Sequence, residues 1–230
     1  MARDEALLTA VGAGESPPTL RLYQWDPPTI SLGYFQRFAD YEALDPPAGE
    51  LPVVRRLTGG GAILHDLELT YSLTLPLSHR LLDRGPHRLY EIAHGAIAAA
   101  LRPLGVEAAP CGFTDDSTPR RGPFFCFERR HEYDLLIGRA KVAGSAQRRT
   151  RTAILQHGSI ILGNRYGQQQ TATLPVPFAE SVAGLRTTVA VQLARACGLG
   201  LEDSDWSQAE LTAIAPRMEK YRGTDWARRI

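Results

Sequence analysis

Leu20-Arg-Leu-Tyr-Gln-Trp25 alternates apolar and polar side chains, the period of a half-buried strand, and Asp26-Pro-Pro28 stops it. Thr29-Ile-Ser-Leu32 is a second short strand closing on Gly33, and Pro52 to Arg56 is a third, running into Thr58-Gly-Gly-Gly-Ala62. Leu69, Tyr71, Leu73 and Leu75 alternate with polar partners up to Pro76, which predicts a strand with one buried face. From residue 87 to 104 the period changes. Leu89, Ile92, Ala93, Ala96, Ile97, Ala100, Leu101 and Leu104 recur at helical spacing, and Gly105 ends the run. Glu132 to Ile137 and Ala140 to Gln147 flank Gly138-Arg139 as a hairpin, and Thr152 to Leu162 makes a further strand. Residues 114–123 are the most polar stretch and read as a loop. Helices are expected at residues 4–10, at 37–45, from Thr187 or Thr188 to Cys197, and after the capping box Ser207-Gln-Ala-Glu210. The last carries the apolar stripe Leu211, Ile214, Met218 and Tyr221.

Strands fill the first two-thirds and helices the last third, with hairpin-type turns in place of regular strand–helix alternation. The pattern implies an α+β domain with a mixed, largely antiparallel sheet flanked by helices. The length of 230 residues fits a single domain, 1–230, with no C-terminal accessory domain. A formal net charge of +1 gives no global field for nucleic acid or an anionic membrane. The first residues carry Asp4 and Glu5 where a signal peptide needs a cationic and then an apolar run, and no apolar stretch is long enough to span a bilayer. The 3 cysteines lack CxxC spacing, which argues against a disulfide framework or a zinc site. A cytoplasmic protein with reduced thiols is the expectation.

Of the 26 basic residues only Lys141 and Lys220 are lysine. A compact ammonium on a flexible stem suits a narrow pocket that a planar guanidinium does not, which singles out Lys141 among the small residues Ala140, Ala143, Gly144, Ser145 and Ala146. Four segments can carry chemistry. Arg55-Arg-Leu-Thr-Gly-Gly-Gly-Ala-Ile-Leu-His-Asp66 offers backbone N–H groups and two arginine forks to an anion, though it also reads as a glycine-rich hairpin with surface arginines. Gly138 to Gln147 holds Lys141. Gln156-His-Gly-Ser159 places a histidine in an apolar run, where core packing is the commoner reason. Phe124-Phe-Cys-Phe127 sets a thiol between aromatics, beside a run of charged residues. Cys197 falls on a helical stripe and reads as packing, and Cys111 has no chemical reading.

Taken together and in this order, Arg55 to Asp66, Gly138 to Gln147 and Leu155 to Ile160 resemble the lipoate–protein ligase and octanoyltransferase superfamily, which is related to biotin protein ligases. The likeness extends to Asp4-Glu-Ala-Leu-Leu8, to Leu20 through Tyr34, and to Lys220-Tyr221 with Trp226. It implies an acyl pocket walled by Arg56, Thr58, Gly59, Gly60, Gly61, His65, Gly144, Ser145, His157 and Gly158. Lys141 would contact the acyl carbonyl, and no metal would be held by the protein itself. Two chemistries occur in the superfamily. The cysteine-dependent octanoyltransferases take octanoate from acyl carrier protein and use no cofactor; the resemblance then makes Cys126 the nucleophile. The ligases use ATP and magnesium to form lipoyl-adenylate. The acceptor in either case would be a lysine of a lipoyl domain or of glycine cleavage H protein. Cys126-Phe-Glu ahead of the lysine motif is similar to the transferases, whereas Gly-Gly-Gly-Ala is closer to the ligases. His157 is the nearest candidate to take the proton of the acceptor amine. A non-catalytic acyl- or carrier-binding module is the alternative of another class.

Overall fold

The structure is a computed structural model that describes residues 1–113, 122–174 and 177–230, without the side chains of Ala179 and Ser181. Helix α1 (Ala2–Ala13) precedes β1 (Thr19–Tyr23), β2 (Thr29–Leu32), α2 (Phe38–Glu42), β3 (Val53–Arg55), β4 (Ile63–His65) and β5 (Glu68–Pro76). Then come α3 (His87–Leu101), β6 (Ala109–Pro110), β7 (Leu135–Ile137), β8 (Ala140–Arg149) and β9 (Ala153–Ile161). Helices α4 (Phe178–Cys197), α5 (Gln208–Arg222) and α6 (Thr224–Arg228) complete the chain. Six strands form one antiparallel sheet in the order β1-β5-β9-β8-β7-β6. A second sheet has the order β3-β2-β4, with β2 parallel to β3 and antiparallel to β4. The mixed, largely antiparallel α+β architecture expected from the pattern is the one observed. No helix among the described residues is long and apolar enough to cross a membrane.

The alternation in β5 is what sorts the two faces of the large sheet. Leu69 and Tyr71 pack with Ile97 and Leu101 of α3 and with Leu185, Val189 and Leu193 of α4. Their alternates Glu68, Thr70, Ser72 and Thr74 are buried as well, on the opposite face. There Leu8 of α1 packs on Ala153 and Leu155 of β9. That second face is therefore a buried polar floor roofed by α1.

Several boundaries differ from the sequence pattern, each for a local reason. Helix α1 begins at Ala2, not within 4–10. Helix α4 begins at Phe178, well before Thr187, because Phe178 and Val182 extend the stripe of Leu185, Val189 and Leu193 against the core. The expected strand over 132–137 shrinks to β7, because Asp134 turns back on His131: its backbone N–H donates to the His131 carbonyl at 2.9 Å and its carboxylate accepts the His131 N–H at 2.9 Å. The α5 stripe is rotated. Ile214 and Tyr221 are buried against Ala2 and Ala6 of α1, while Leu211 is 45% and Met218 36% exposed. Of the expected loop over 114–123, residues 114–121 lie outside the described residues.

The C-terminal helices are tied to β3. Arg55, fully buried, does not grip an anion as its position beside the glycine run suggested. Its Nε and Nη2 donate to the Ala227 carbonyl at 3.0 and 2.6 Å, and its Nη1 reaches the carbonyls of Gly33 and Gln36 at 2.9 and 2.6 Å. Trp226 Nε1 donates back to the Arg55 carbonyl at 2.9 Å. Lys220 joins this strap: its Nζ lies 4.0 Å from the Trp226 ring centroid and 2.9 Å from both Glu5 carboxylate oxygens. The second lysine thus has a structural use, an ammonium set between an indole face and a carboxylate.

Arg55→Lys keeps the charge but cannot span these carbonyls, so buried acceptors lose their donor. Urea unfolding is expected to show a loss of roughly 2–4 kcal/mol; an unchanged midpoint would show that the fork is dispensable.

Candidate active site

The glycine run is shaped by close approach to protein backbone. Gly60 has φ +94°, a left-handed conformation that costs other residues ~1–2 kcal/mol. A side chain on Gly61 would meet the Cys126 backbone nitrogen at 2.9 Å. Here the run is stitched to the cysteine segment. Ala62 N–H donates to the Phe124 carbonyl at 2.8 Å, and Cys126 N–H donates to the Ala62 carbonyl at 2.7 Å. Gly33 lies against the same loop, its Cβ position 2.0 Å from the Gly60 carbonyl oxygen.

Arg56 braces the run from below. It is 2% exposed, and burial pulls its guanidinium down to about 10. Nη2 donates to the carbonyls of Gly59 and Gly61 at 2.8 and 2.6 Å, and Nη1 to the Ser31 carbonyl at 2.8 Å. Two further donors start hydrogen-bond chains. Nε reaches Thr58 Oγ1 at 3.2 Å, and that hydroxyl lies 2.7 Å from His157 Nε2. Nη1 reaches Ser31 Oγ at 3.2 Å, and that hydroxyl lies 2.7 Å from His65 Nε2. Arg56 donates to both hydroxyls, and each hydroxyl shares a hydrogen bond with the Nε2 of an imidazole whose Nδ1 is turned the other way. His157 Nδ1 faces Asp4 Oδ2 at 3.6 Å, and His65 Nδ1 meets Glu68 Oε1 at 2.7 Å. Arg56 therefore roots two parallel chains, each passing through a hydroxyl and an imidazole to a buried carboxylate. Burial alone would raise the Asp4 carboxyl. The chain's amino terminus, His157 and Arg21 together outweigh it and hold Asp4 well below the usual carboxylate range. Burial likewise keeps His157 below the ordinary histidine range.

Cys126 opens a single 3₁₀ turn, Cys126–Glu128, at the edge of a pocket of ≈ 50 Å³. Lys141, 3% exposed, comes from β8. Its ammonium makes a 2.7 Å ion pair with Asp134 Oδ2, and lies 3.4 Å from the Cys126 carbonyl oxygen and 3.9 Å from Cys126 Sγ. Gly144 is what leaves room for it: a Cβ there would stand 2.4 Å from Lys141 Cε and 2.7 Å from Nζ. A thiol with a paired ammonium beside it, at the wall of a narrow and mostly apolar pocket, is equipped for attack on an acyl carbonyl.

Residues 1–195 match the model of the lipoyl protein ligase A/B catalytic domain. The chain belongs to that family. It is 41% identical over 202 residues to the octanoyltransferase LipM of Moorella thermoacetica, covering 86% of this chain and 72% of that protein. Against the octanoyltransferase LipM of Kyrpidia tusciae it is 35% identical over 256 aligned positions, covering 98% and 92%. In fold it is similar to a lipoate-protein ligase A solved with ATP, with TM-score 0.75 and 21% identity over 98% of this chain and 91% of the other. It is also similar to the bipartite lipoate protein ligase of Thermoplasma acidophilum, with TM-score 0.70 and 20% identity over 98% and 89%. The chain is an enzyme of the lipoyl ligase A/B family.

Of the residues marked out in the sequence, Arg56, Gly60, His65, Cys126, Gly144, Ser145, His157 and Gly158 line the pocket. Thr58, Gly59, Gly61 and Lys141 stand against these from behind. The Ser145 hydroxyl is spent on α3, 2.7 Å from His94 Nε2, so this serine presents its remaining atoms to the pocket. His157 lies with Nε2 2.7 Å from Thr58 Oγ1 and Nδ1 3.6 Å from Asp4 Oδ2. Cys197 is buried, as its helical position suggested, and burial raises its thiol to about 11. Three members of this lipoyl ligase-type site carried no role in the sequence reading: Asp134, Asp4 and Glu68. Their one signal is chemical, since a lysine or histidine buried in a pocket needs a carboxylate nearby.

Gly144→Ala pushes on the end of Lys141 and, at 3.1 Å, on Asp134 Oδ1, and so disturbs the buried pair between them. Stability is expected to fall by roughly 1–3 kcal/mol and activity by about 100-fold, read by urea unfolding and an acyl-transfer assay. Equal activity would remove Lys141's position from the chemistry. A second expectation concerns pH. His94 and His157, both lowered by burial, stay neutral in the fold while the unfolded chain takes up protons below about 6.5. The stability they contribute is present above that value and lost as pH falls, with Asp4 adding to the loss at still lower pH. Urea midpoints measured on both sides of pH 6.5 should fall on the acid side, and less so in the double variant His94→Gln/His157→Gln.

Proposed function

We propose that this chain moves an octanoyl group from the thioester of acyl carrier protein, through Cys126, to a lysine of a lipoyl domain or of glycine cleavage H protein. The reaction belongs to lipoate biosynthesis and would run in the cytoplasm, where a thiol stays reduced. The observation that carries the reading is the 3.9 Å approach of Cys126 Sγ to the Lys141 ammonium, in a chain 35–41% identical to proteins called octanoyltransferase LipM.

In the first half-reaction the sulfur attacks the thioester carbonyl and the carrier thiol leaves. Lys141, paired with Asp134 at 2.7 Å, faces the negative charge that develops on sulfur and then on the carbonyl oxygen. The pocket between His65, Ile63 and Phe127 takes the alkyl chain, whose burial contributes ~0.8 kcal/mol per methylene. In the second half-reaction the acceptor amine attacks the acyl-cysteine; the C–N bond forms, the C–S bond breaks, and the sulfur leaves as the thiol with the proton that the amine gives up. No ATP or Mg²⁺ is needed, because the thioester is already activated. Adenylation of free lipoate with ATP and Mg²⁺ is the reading to be set against it, favoured by the Gly-Gly-Gly-Ala run.

Incubation with octanoyl-acyl carrier protein alone should add one octanoyl group to Cys126, seen by intact mass, and the adduct should vanish when a lipoyl domain is supplied. Cys126→Ala should lose adduct and transfer together. Lys141→Arg, whose wider head does not fit beside Gly144, should lower transfer at least about 100-fold. Full activity of Cys126→Ala with ATP and lipoate would establish the ligase reading instead.

A further inference from the structure

Beside the glycine run lies a cluster of cations that the chemistry above does not use. Tyr34 follows Gly33 and is bonded through its backbone N–H to the Thr58 carbonyl at 2.8 Å, so it sits on the shoulder of the glycine run. Two arginines far apart in sequence converge on its ring: Arg148 of β8 at 5.4 Å and Arg229, past the end of α6, at 4.0 Å from the ring centroid. Arg229 also lies 4.7 Å from the Trp226 ring centroid. A hydrogen bond from Arg229, then the fields of Arg229, Arg148 and Lys220, lower the Tyr34 hydroxyl, and every charged group acting on it is a cation. Lys220 is paired with Glu5, but among the described residues neither Arg148 nor Arg229 has a carboxylate partner. Both are exposed. Two exposed guanidiniums held against one tyrosine ring, with no acid among the described residues paired to either, offer donors to a doubly hydrogen-bonded anion.

The spacing along β8 from the pocket wall indicates which anion. Gly144, Ser145 and Ala146 of β8 line the pocket beside Cys126. Arg148 lies four residues beyond Gly144 on the same strand, ~14 Å along it. That span is comparable with the pantetheine arm between its phosphodiester and its thioester sulfur. We propose that Arg148 and Arg229, arrayed on Tyr34, bind the phosphate of the donor's 4′-phosphopantetheine arm and so set the thioester over Cys126. The proposal rests on the thioester reading above. It adds a binding determinant for the donor and takes no part in bond making. The adenylate of a ligase reaction offers the same phosphate chemistry, so the test must separate the two sources.

Octanoyl-4′-phosphopantetheine and octanoyl-pantetheine differ only in the phosphate. Single-turnover acylation of Cys126, followed by intact mass, should favour the phosphorylated donor by at least about tenfold in kcat/KM. The double variant Arg148→Gln/Arg229→Gln should abolish that preference through KM and leave acylation by octanoyl-pantetheine unchanged. Equal wild-type rates with the two donors would overturn the site, as would a variant that slows both donors alike. If the variant instead lost only an ATP-dependent activity with free octanoate, the phosphate bound there would be the adenylate's and the donor-arm proposal would fall. Acylation of Cys126 by octanoyl-pantetheine with no phosphate effect refutes this site alone. No acylation by either donor refutes the thioester reading and this site with it.

Discussion

A guanidinium at 2% exposure must have its N–H groups taken up by protein, and the way Arg56 meets that requirement organises the whole pocket. Its donors fix the carbonyls of Gly59 and Gly61, which set the path of the glycine run. That path in turn receives the Cys126 segment through the two backbone bonds of Ala62. The remaining donors pass through Thr58 and Ser31 to His157 and His65, and end at Asp4 and Glu68. A buried guanidinium is thus joined to two buried carboxyl groups through hydroxyls and imidazoles. Removing any one of them would leave a charge or a polar group stranded in low dielectric. The pocket walls are rigid for that reason, and α1, which brings Asp4, is as much a part of the site as the strands that carry the motifs.

The reacting pair follows a second rule of space. Lys141 can lie beside Cys126 because Gly144 has no side chain, and in that buried position its ammonium is matched by the Asp134 carboxylate. The turn that shortens β7 places that carboxylate, since Asp134 is bonded to His131 at both its backbone and its side chain. A local departure from regular strand structure therefore places the partner of the Lys141 ammonium. The composition that leaves only two lysines in the chain makes both informative. One needs a narrow head in a tight pocket. The other needs a compact charge between Trp226 and Glu5.

Much of this was legible along the chain wherever a residue's reason is local. The alternation of Leu69, Tyr71, Leu73 and Leu75 gave a core strand, the helical spacing from Leu89 to Leu101 gave α3, and Ser207 with Glu210 gave the start of α5 through a capping box that forms as written. Helix faces were harder. Leu211 and Met218 share a stripe with Ile214, yet α1 turns α5 so that Ile214 and Tyr221 are buried and the other two are exposed. No spacing rule contains that rotation, because it depends on the small side chains of Ala2 and Ala6 on another helix.

The sequence by itself determined the class of fold, the order of the chemical segments, and the two residues, Cys126 and Lys141, whose types are unusual for their surroundings. Only the tertiary structure decided what those residues face. Residues 130 positions apart, Asp4 and Asp134, enter the same site from α1 and from the turn before β7. Arg148 and Arg229 meet on Tyr34 from β8 and the C-terminal end. The arginines beside the glycine run, which sequence alone offered to a ligand, are spent on protein carbonyls. The physical reason is the same in each case. A side chain's type sets what partner it requires, but burial and approach distance set which partner it finds, and both arise only when distant segments pack together.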